Sequence, residues 1–331
     1  MSQIVFLRHL VRHTPRVALS RLRNGPGRPS WSFGFELFTT AMRGTALEIA
    51  RLDWKGQRLA YDTLATPLSP VLKRVDREEV TVGGVPAVWF TPKIPVGAGS
   101  LGAGATLLYL HGGAYIFGST RSHGELIARL ALATPARTLA PEYRLAPEHP
   151  FPAAIEDAVA VYRALLASGT DPKRLVVAGD SAGGGLTMAL LQKLREHGDP
   201  LPAGAALLCP WVDLTAKGGS LTDNAAFDWS NEEVGHRWIE AYLNGHDRRD
   251  PLVSPVFADL AGMPPLLVQV GDAELLHDQA VMLATRAKEA GVDVRFVVEP
   301  DMVHDWHSFA GLFSHCARAI DDVGAFVRSV T

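Results

Sequence analysis

The chain has 331 residues, of which 47% are hydrophobic and 20% are charged, and its formal net charge is −3. This balance is typical of a folded globular protein and excludes a disordered or membrane-spanning chain, and the small net charge gives no reason to expect a nucleic-acid partner. The length suits one α/β core that carries an accessory region.

Residues 1–30 contain six arginines and no acidic residue. An amphipathic helix is predicted here by apolar residues that recur at roughly helical spacing, namely Leu7, Leu10, Val11, Ala18 and Leu22. We expect its apolar side to lie on the protein's own surface, with the arginines in water. A weakly bound helix on a membrane surface is the second interpretation of residues 1–30, and an organelle transit peptide is the third.

Four aromatic residues follow within the eight positions 31–38, and a loose helical pattern continues to about residue 62. Prolines in the segment 66–70 then break the pattern, so we predict a boundary between an N-terminal helical region, residues 1–75, and a core, residues 76–331. A hairpin is predicted next, because Gly83-Gly84 lies between two runs of strand-forming residues.

From residue 105 onward, apolar runs alternate with helical stretches, which is the pattern of βαβ units in a mainly parallel sheet. The predicted strands are Ala105–Leu110, Thr138–Ala140, Leu175–Ala178, Ala205–Cys209, Pro265–Val270 and Val292–Val298. The predicted helices are 122–133, 153–168, 182–197, 277–290 and 314–330. The alternation lapses over an insertion, residues 213–255, which contains a helical run near 231–243.

Ser181 lies at the turn between an apolar strand and a helix, in the motif Gly-Asp-Ser-Ala-Gly. Gly179 and Gly183 flank it, and positions without side chains allow the sharp turn that lifts a serine hydroxyl above a sheet. The motif therefore predicts a nucleophile. By itself it also fits an ordinary turn between a strand and a helix, so the rest of the chain has to decide.

A serine nucleophile needs a base and an acid that orients the base. His304 follows the last predicted strand and is the candidate base, with His307 as the alternative. The turn after the preceding strand offers Asp272, Glu274 and Asp278. Because Asp278 falls in a predicted helix, a capping role suits it better, and spacing alone does not separate Asp272 from Glu274.

Donors for the oxyanion are predicted in His111-Gly-Gly-Ala114, which follows the first buried strand of the parallel run. Since glycines lack side chains, the N–H groups of Gly112 and Gly113 can approach a substrate oxygen, and the N–H group of Ala182 adds a donor from the start of a helix. A phosphate-binding loop is disfavoured, because no Gly-Lys-Ser/Thr sequence follows.

In its motifs the chain resembles the bacterial carboxylesterase branch of the hormone-sensitive lipase family of α/β-hydrolases. The matching motifs occur in order over residues 75–331 and are His111-Gly-Gly-Ala114, Tyr143–Ala153, Gly179-Asp-Ser-Ala-Gly-Gly184, Ser254-Pro255 and Met302-Val-His304. The resemblance implies an α/β-hydrolase fold, with a mainly parallel central sheet flanked by helices. It also implies a helical cap, formed by the N-terminal region and completed by the insertion 213–255.

The resemblance assigns the nucleophile to Ser181, the base to His304 and the oxyanion donors to Gly112, Gly113 and Ala182. It favours Glu274 as the acid, because the family's Asp-Pro-Leu-x-Asp run aligns with Glu274-Leu-Leu-His-Asp278, although glutamate replaces the usual aspartate. Ala114 departs from the family too, since a third glycine is often found there. Seven aromatic residues are candidate pocket walls, although each also fits plain cap core: Trp31, Phe33, Phe35, Phe38, Trp211, Phe227 and Trp238.

Around this site we expect His111 to fix the oxyanion loop, and Arg144, Glu148 and Asp157 to form a buried polar network. The family suggests a homodimer through Val292–Val298 and the closing helix 314–330.

The expected function is a serine carboxylesterase without cofactor or metal, acting on small-molecule esters with short- to medium-chain acyl groups. The alternatives are a lactonase, amidase or deacetylase with the same triad, and a ligand-binding relative without activity. Cys209 and Cys316, the only cysteines, are too few for a disulfide framework and suggest a cytoplasmic protein.

Overall fold

The computed structural model describes residues 2–64, 69–93, 105–134 and 136–331. Most of the predicted boundary segment 66–70 and of the glycine- and alanine-rich segment 96–105 lies outside these ranges. The described strands are β1 (Val75–Val82), β2 (Val85–Pro92), β3 (Thr106–Leu110), β4 (Arg137–Pro141), β5 (Leu175–Asp180), β6 (Gly204–Leu208), β7 (Leu266–Gly271) and β8 (Val294–Glu299).

The described α-helices are α1 (Ser2–Asn24), α2 (Phe33–Ile49), α3 (Trp54–Leu64), α4 (Gly124–Ala133), α5 (Ala153–Ala167), α6 (Ala182–His197), α7 (Ser220–Asp223), α8 (Glu232–Leu243), α9 (His277–Glu289) and α10 (Ser314–Val330). The predicted core helices are confirmed to within two residues at each end. The short helix α7 was not predicted.

The strands form one sheet in the order β1-β2-β4-β3-β5-β6-β7-β8. β1 and β2 pair antiparallel as the predicted hairpin, and the sheet from β4 to β8 is parallel. Successive residues of β3 point to opposite faces: Leu107 and Tyr109 pack with α4 and α10, whereas Leu108 and Leu110 pack with α5 and α6. Both faces are covered, which explains the continuous apolar runs and confirms the predicted fold class.

The parallel strands place four loops at one edge of the sheet, because their carboxyl ends all point the same way. These loops follow β3, β5, β7 and β8. They carry the glycine-rich segment 111–114, Ser181, the acidic turn and His304. The topology alone therefore brings the predicted site residues to one place.

The N-terminal helices contact the insertion 213–255 through three hydrogen bonds. Arg43 Nε of α2 donates to the carbonyl of Ala225 at 2.9 Å, and Arg237 Nη1 of α8 donates to the carbonyl of Ala50 at 2.9 Å. Trp238 Nε1 donates to Gln57 Oε1 of α3 at 3.2 Å. The two chain segments predicted to form a cap thus lie against each other.

The predicted N-terminal helix is present as α1, and most of its arginines face water as predicted, but the prediction that its apolar side lies on the protein is wrong. The inward side holds Ser2, His9 and Val17, which are buried. Five of its large apolar residues face water instead, with exposed fractions of 72% for Ile4, 58% for Leu7, 76% for Val11, 48% for Leu19 and 85% for Leu22. Sequence periodicity defines a stripe on a helix, but it does not say which side the rest of the protein occupies.

Candidate active site

Ser181 occupies the turn between β5 and α6 with φ of 51° and ψ of −120°, a conformation that is rare for a residue with a side chain. The neighbouring chain leaves no room beside it. A Cβ atom added to Gly179 would lie 2.3 Å from the carbonyl oxygen of Gly183, and one added to Gly183 would lie 1.9 Å from that of Leu110. Both glycines are thus required by close backbone approach.

His304 lies in the loop after β8 and reaches Ser181 directly, with Nε2 2.9 Å from the serine Oγ. On the other side of the ring, Nδ1 faces Glu274 Oε1 at 3.7 Å, longer than a hydrogen bond. Both of these atoms are buried, and neither has a hydrogen-bond partner among the described residues. Catalytic hydrogen bonds often tighten only when substrate binds, so this pairing is the arrangement expected of a base and its orienting acid.

Asp272 points away from His304. Its Oδ1 accepts hydrogen bonds at 2.7 Å from Arg28 Nη2 and from the backbone N–H of Asp301. Asp301 is also held by the N-terminal chain, because its side chain and carbonyl accept from the N–H of Ser30 and from Trp31 Nε1. Residues 28–31 therefore tie the acidic turn to the loop that carries the histidine.

Asp278 and His307, the two other candidates from the sequence, make contacts that fit structural roles. Asp278 Oδ2 accepts from the backbone N–H of Ser220 at 2.9 Å, so this carboxylate caps the start of α7. His307 is fully buried and its Nε2 lies 3.0 Å from Gln269 Oε1. Burial lowers the pKa of His307 to about 3, which fits a neutral core residue.

Three carboxylates surround the imidazole of His304. Besides Glu274, Asp305 places Oδ2 3.3 Å from Nε2, and Asp228 of the insertion lies nearby, held by the backbone N–H of Leu275. Burial alone would lower the pKa of His304, but these charges outweigh burial and hold the pKa above its usual value. Burial raises the pKa of Asp228 to about 6.

Sequence reasoning missed Asp305 and Asp228. Asp305 adopts a left-handed backbone conformation, φ of 50°, which turns its side chain back toward the preceding histidine. Asp228 comes from the insertion, where no periodic pattern predicted which side chains point to the site. Neither residue belongs to a recognisable motif.

In the oxyanion loop, residues 111–114, one of the predicted N–H donors is already occupied. The N–H group of Gly112 donates to Asp180 Oδ1 at 2.9 Å, so the prediction that Gly112 supplies an oxyanion donor is wrong in this structure. The buried carboxylate of Asp180 needs donors, and this N–H group is one of them. The N–H groups of Gly113, Ala114 and Ala182 have no acceptor within the described ranges and remain available.

Asp180 is itself an unpredicted part of the site. It is buried and accepts hydrogen bonds from Tyr109 Oη and from Gly112, with His123 Nε2 3.3 Å away. Burial raises the pKa of Asp180, but His123 and Tyr109 outweigh burial and lower it to about 2. An ionised Asp180 thus anchors the start of the oxyanion loop immediately beside Ser181.

His111 contacts the same loop, because its Nδ1 lies 2.8 Å from the carbonyl of Gly112. Burial lowers the pKa of His111 to about 4, so the ring is neutral at physiological pH. Tyr143 Oη donates to the carbonyl of His111 at 2.6 Å. These contacts fit the expected role of His111 in fixing the loop.

The predicted buried network of Arg144, Glu148 and Asp157 is only partly present. Arg144 Nε donates to Asp157 at 3.0 Å, but the arginine side chain is exposed at its outer end, where it contacts Glu156. Glu148 pairs with Arg58 of α3 instead. The prediction that Glu148 belongs to this network is therefore wrong, because its carboxylate pairs with Arg58 of the N-terminal region and not with Arg144.

A cavity of about 1070 Å³ opens above Ser181 and His304. Of the seven predicted wall residues, Phe38, Trp211 and Trp238 line it. The other four do not: Trp31 and Phe35 are buried in the core, Phe227 packs against Trp31, and Phe33 is 41% exposed. Aromatic wall residues that the sequence did not single out are Phe6, Tyr61, Phe117, Trp229 and Phe309.

A protein-family model described as the alpha/beta hydrolase fold matches residues 107–308. The sheet, the strand-to-helix turn at Ser181 and this match define the class of the protein: the chain belongs to the α/β-hydrolases.

Three relatives narrow the class. An acetyl-hydrolase of Streptomyces hygroscopicus is 44% identical over 290 residues, 87% of this chain and 92% of the relative. An esterase of Acinetobacter venetianus is 38% identical over 226 residues, 68% of this chain and 75% of the relative. A crystal structure of an esterase from the bacterial hormone-sensitive lipase family is 44% identical, with a TM-score of 0.81 over 88% of this chain and 97% of that one. The chain is a member of the hormone-sensitive lipase family of carboxylesterases.

Proposed function

We propose that this protein is a serine carboxylesterase that hydrolyses esters of short- to medium-chain acids through an acyl-enzyme intermediate. The observation that carries the proposal is the 2.9 Å contact between His304 Nε2 and Ser181 Oγ at the floor of a cavity that is partly open to solvent. A serine hydroxyl is a weak nucleophile until an adjacent base removes its proton. The imidazole of His304 is placed to do this.

In the first half-reaction, His304 takes the Ser181 proton as Oγ attacks the ester carbonyl carbon. Glu274 stabilises the imidazolium that forms. The negative charge on the former carbonyl oxygen is met by the N–H groups of Gly113, Ala114 and Ala182, each of which is worth roughly 10²–10³ in rate in comparable sites. The intermediate collapses, and the leaving alcohol takes the proton from His304.

In the second half-reaction, water replaces the alcohol. His304 removes a proton from the water as its oxygen attacks the acyl-enzyme carbonyl. A second tetrahedral intermediate forms over the same N–H groups. Its collapse returns the proton to Ser181 Oγ and releases the carboxylic acid, which restores the starting state.

The size and lining of the cavity support the choice of substrate. At about 1070 Å³ it is at the upper end of the range for small-molecule sites, and its aromatic lining favours apolar groups. The methyl group of Ala114, at the base of this cavity, narrows the space beside the oxyanion donors. One relative is named an acetyl-hydrolase, which agrees with a short acyl group.

The test uses p-nitrophenyl esters from acetate to octanoate, together with labelling by a fluorophosphonate. We expect Ser181→Ala to lose both hydrolysis and labelling, and Glu274→Gln to lower kcat by roughly 10²–10⁴ through loss of imidazole orientation. The matched control is Asp272→Asn, which leaves His304 unchanged and keeps an Oδ1 acceptor for Arg28 and for the N–H group of Asp301, so it should keep most of the activity. Matched amide and lactone substrates rank the alternative reactions.

The proposal fails if Ser181→Ala retains hydrolysis or if the wild-type protein is not labelled. The assignment of the acid fails if Asp272→Asn falls as far as Glu274→Gln.

A further inference from the structure

One face of α1 is apolar and exposed. We call it the outer face of α1 and define it by the residues Ile4, Leu7, Val11, Leu19 and Leu22. With 100° of rotation per residue, these five positions lie within roughly 60° of one direction on the helix. They include half of the large hydrophobic residues that are strongly exposed in the described chain. Arg8, which pairs with Glu48, lies within the same range and interrupts the stripe. An exposed apolar stripe of this extent on a protein surface marks a site of interaction.

The inner side of the same helix is held to the protein by polar contacts as well as by packing of Phe6 and Val17. Ser2 Oγ bonds to Thr63 Oγ1 of α3 at 2.5 Å, His9 Nε2 lies 3.2 Å from Glu48 Oε2 of α2, and Arg21 Nη1 donates to the carbonyl of Trp31 at 3.0 Å. These bonds fix the rotation of α1 about its axis. The apolar residues therefore cannot turn inward without breaking contacts that the fold satisfies.

Positive charge lies along one side of the stripe. Arg12, Arg16 and Arg23 are exposed there, and none has an acidic partner in the part of the chain that the structure describes. The helix sequence contains no acidic residue at all. An apolar stripe bordered by unpaired arginines is complementary to the surface of an anionic bilayer, where apolar side chains enter the acyl boundary and arginines meet lipid phosphates.

We propose that the outer face of α1 docks on the surface of an anionic lipid bilayer. The mode of binding is peripheral, because none of the described helices is both long enough and apolar enough to cross a bilayer. The inner edge of the helix also supplies Gln3 and Phe6 to the lining of the cavity above Ser181. A docked α1 thus brings the space that would receive an ester next to the lipid surface.

The test is co-sedimentation of the full chain with phosphatidylcholine vesicles, with and without phosphatidylglycerol. We expect binding to the anionic vesicles that weakens as salt is raised, because salt screens the arginine–phosphate attraction. Ile4→Gln/Leu7→Gln/Val11→Gln should lower the partition coefficient at least about tenfold. Arg12→Gln/Arg16→Gln/Arg23→Gln should lower it on the order of a hundredfold.

Matched controls remove the same kinds of side chain elsewhere on the surface. Leu59→Gln/Met282→Gln and Arg77→Gln/Lys173→Gln/Lys288→Gln should bind vesicles like the wild type. All variants should hydrolyse a soluble ester at the wild-type rate, which shows that they are folded.

Three results would overturn the docking proposal. The first is no binding to anionic vesicles, and the second is binding that the two α1 variants do not weaken. The third is a wild-type protein that is oligomeric in solution and an Ile4→Gln/Leu7→Gln/Val11→Gln variant that is monomeric. This result would show that the outer face of α1 binds a second copy of the chain. The sedimentation readout does not depend on ester hydrolysis, so its failure is distinguishable from failure of the proposed activity.

Discussion

Asp305 is the residue whose position has the clearest chemical consequence. Its carboxylate contacts His304 at Nε2, the nitrogen that also faces Ser181, and not at Nδ1, which faces Glu274. Burial raises the pKa of Asp305 to about 7, so above that pH its negative charge stabilises the protonated ring. The protonated imidazole of His304 is therefore harder to deprotonate than that of a histidine with one carboxylate partner. We expect the protonation of His304 to limit activity at low pH.

We predict that Asp305→Asn moves the acidic limb of the kcat/KM profile to lower pH, by roughly 1 pH unit. The sign follows because His304 must be neutral to act as base, and loss of the neighbouring charge lowers its pKa. The profile is measured with p-nitrophenyl acetate. Asp321→Asn, on the exposed side of α10, is the control with the same change of charge; a limb that stays in place or moves upward in Asp305→Asn would contradict the prediction.

For individual residues, sequence motifs predict those positions that depend only on the neighbouring sequence. The proximity of Ser181 and His304 is predictable, because the glycines around the turn and the loop after the last strand are visible in the sequence. The donor role of Gly112 was wrong because it depends on the buried carboxylate of Asp180, which competes for the same N–H group. Such a competition arises from packing, and no spacing in the sequence reports it.

Helix α2 is held in place by a cluster of aromatic rings. Phe35 is almost fully buried, and its ring lies edge-to-face against Phe313 at 4.9 Å and against Trp31 at 5.6 Å. Phe313 directly precedes α10, so the cluster joins the N-terminal region to the end of the core. Its contribution to stability comes from burial and from the favourable edge-to-face geometry.

We predict that Phe35→Ala lowers the free energy of unfolding by about 3–5 kcal/mol, because it leaves a cavity between α2 and the start of α10. Phe33→Ala, which removes the same side chain two residues away at an exposed position, should change it by less than about 0.5 kcal/mol. Urea denaturation followed by tryptophan fluorescence measures both. Equal losses in the two variants would show that the cluster does not hold α2.

Among the elements, helices of several turns were predicted well because their period repeats often enough to define the ends. Helices 182–197 and 314–330 agree with α6 and α10. The single turn of α7 has too few residues for a period, and β8 was predicted two residues too early because it is only half-buried. The burial of Phe35 in the core could not be predicted either, because an aromatic residue on a helix suits a pocket and a core equally.

The sheet of the whole molecule ends at β8, which has no neighbour on its outer side among the described strands. Val298 of this strand is partly exposed. An open edge with exposed apolar residues offers unpaired backbone groups to another strand. This supports the expected homodimer, in which the β8 edges and α10 of two copies meet.

We predict that the protein sediments as a dimer and that Val298→Lys shifts it to monomer, because a lysine on each copy places like charges at the junction of the two edges. Met282→Lys, at an equally exposed position of α9, is the control. Analytical ultracentrifugation measures the mass. A wild-type monomer, or a Val298→Lys dimer as stable as the wild type, would argue against this interface.

The bridge from Arg28 to Asp272, with Ser30 and Trp31 bound to Asp301, bears on how the N-terminal region can be studied. A protein shortened by its first thirty residues would lose the bonds from Arg28 and Ser30 as well as α1. The loops that carry Glu274 and His304 would then be free to move apart. Such a protein would lose activity whether or not α1 binds lipid. Truncation therefore cannot test lipid binding by itself. Only substitutions on the outer face of α1 can separate membrane binding from catalysis.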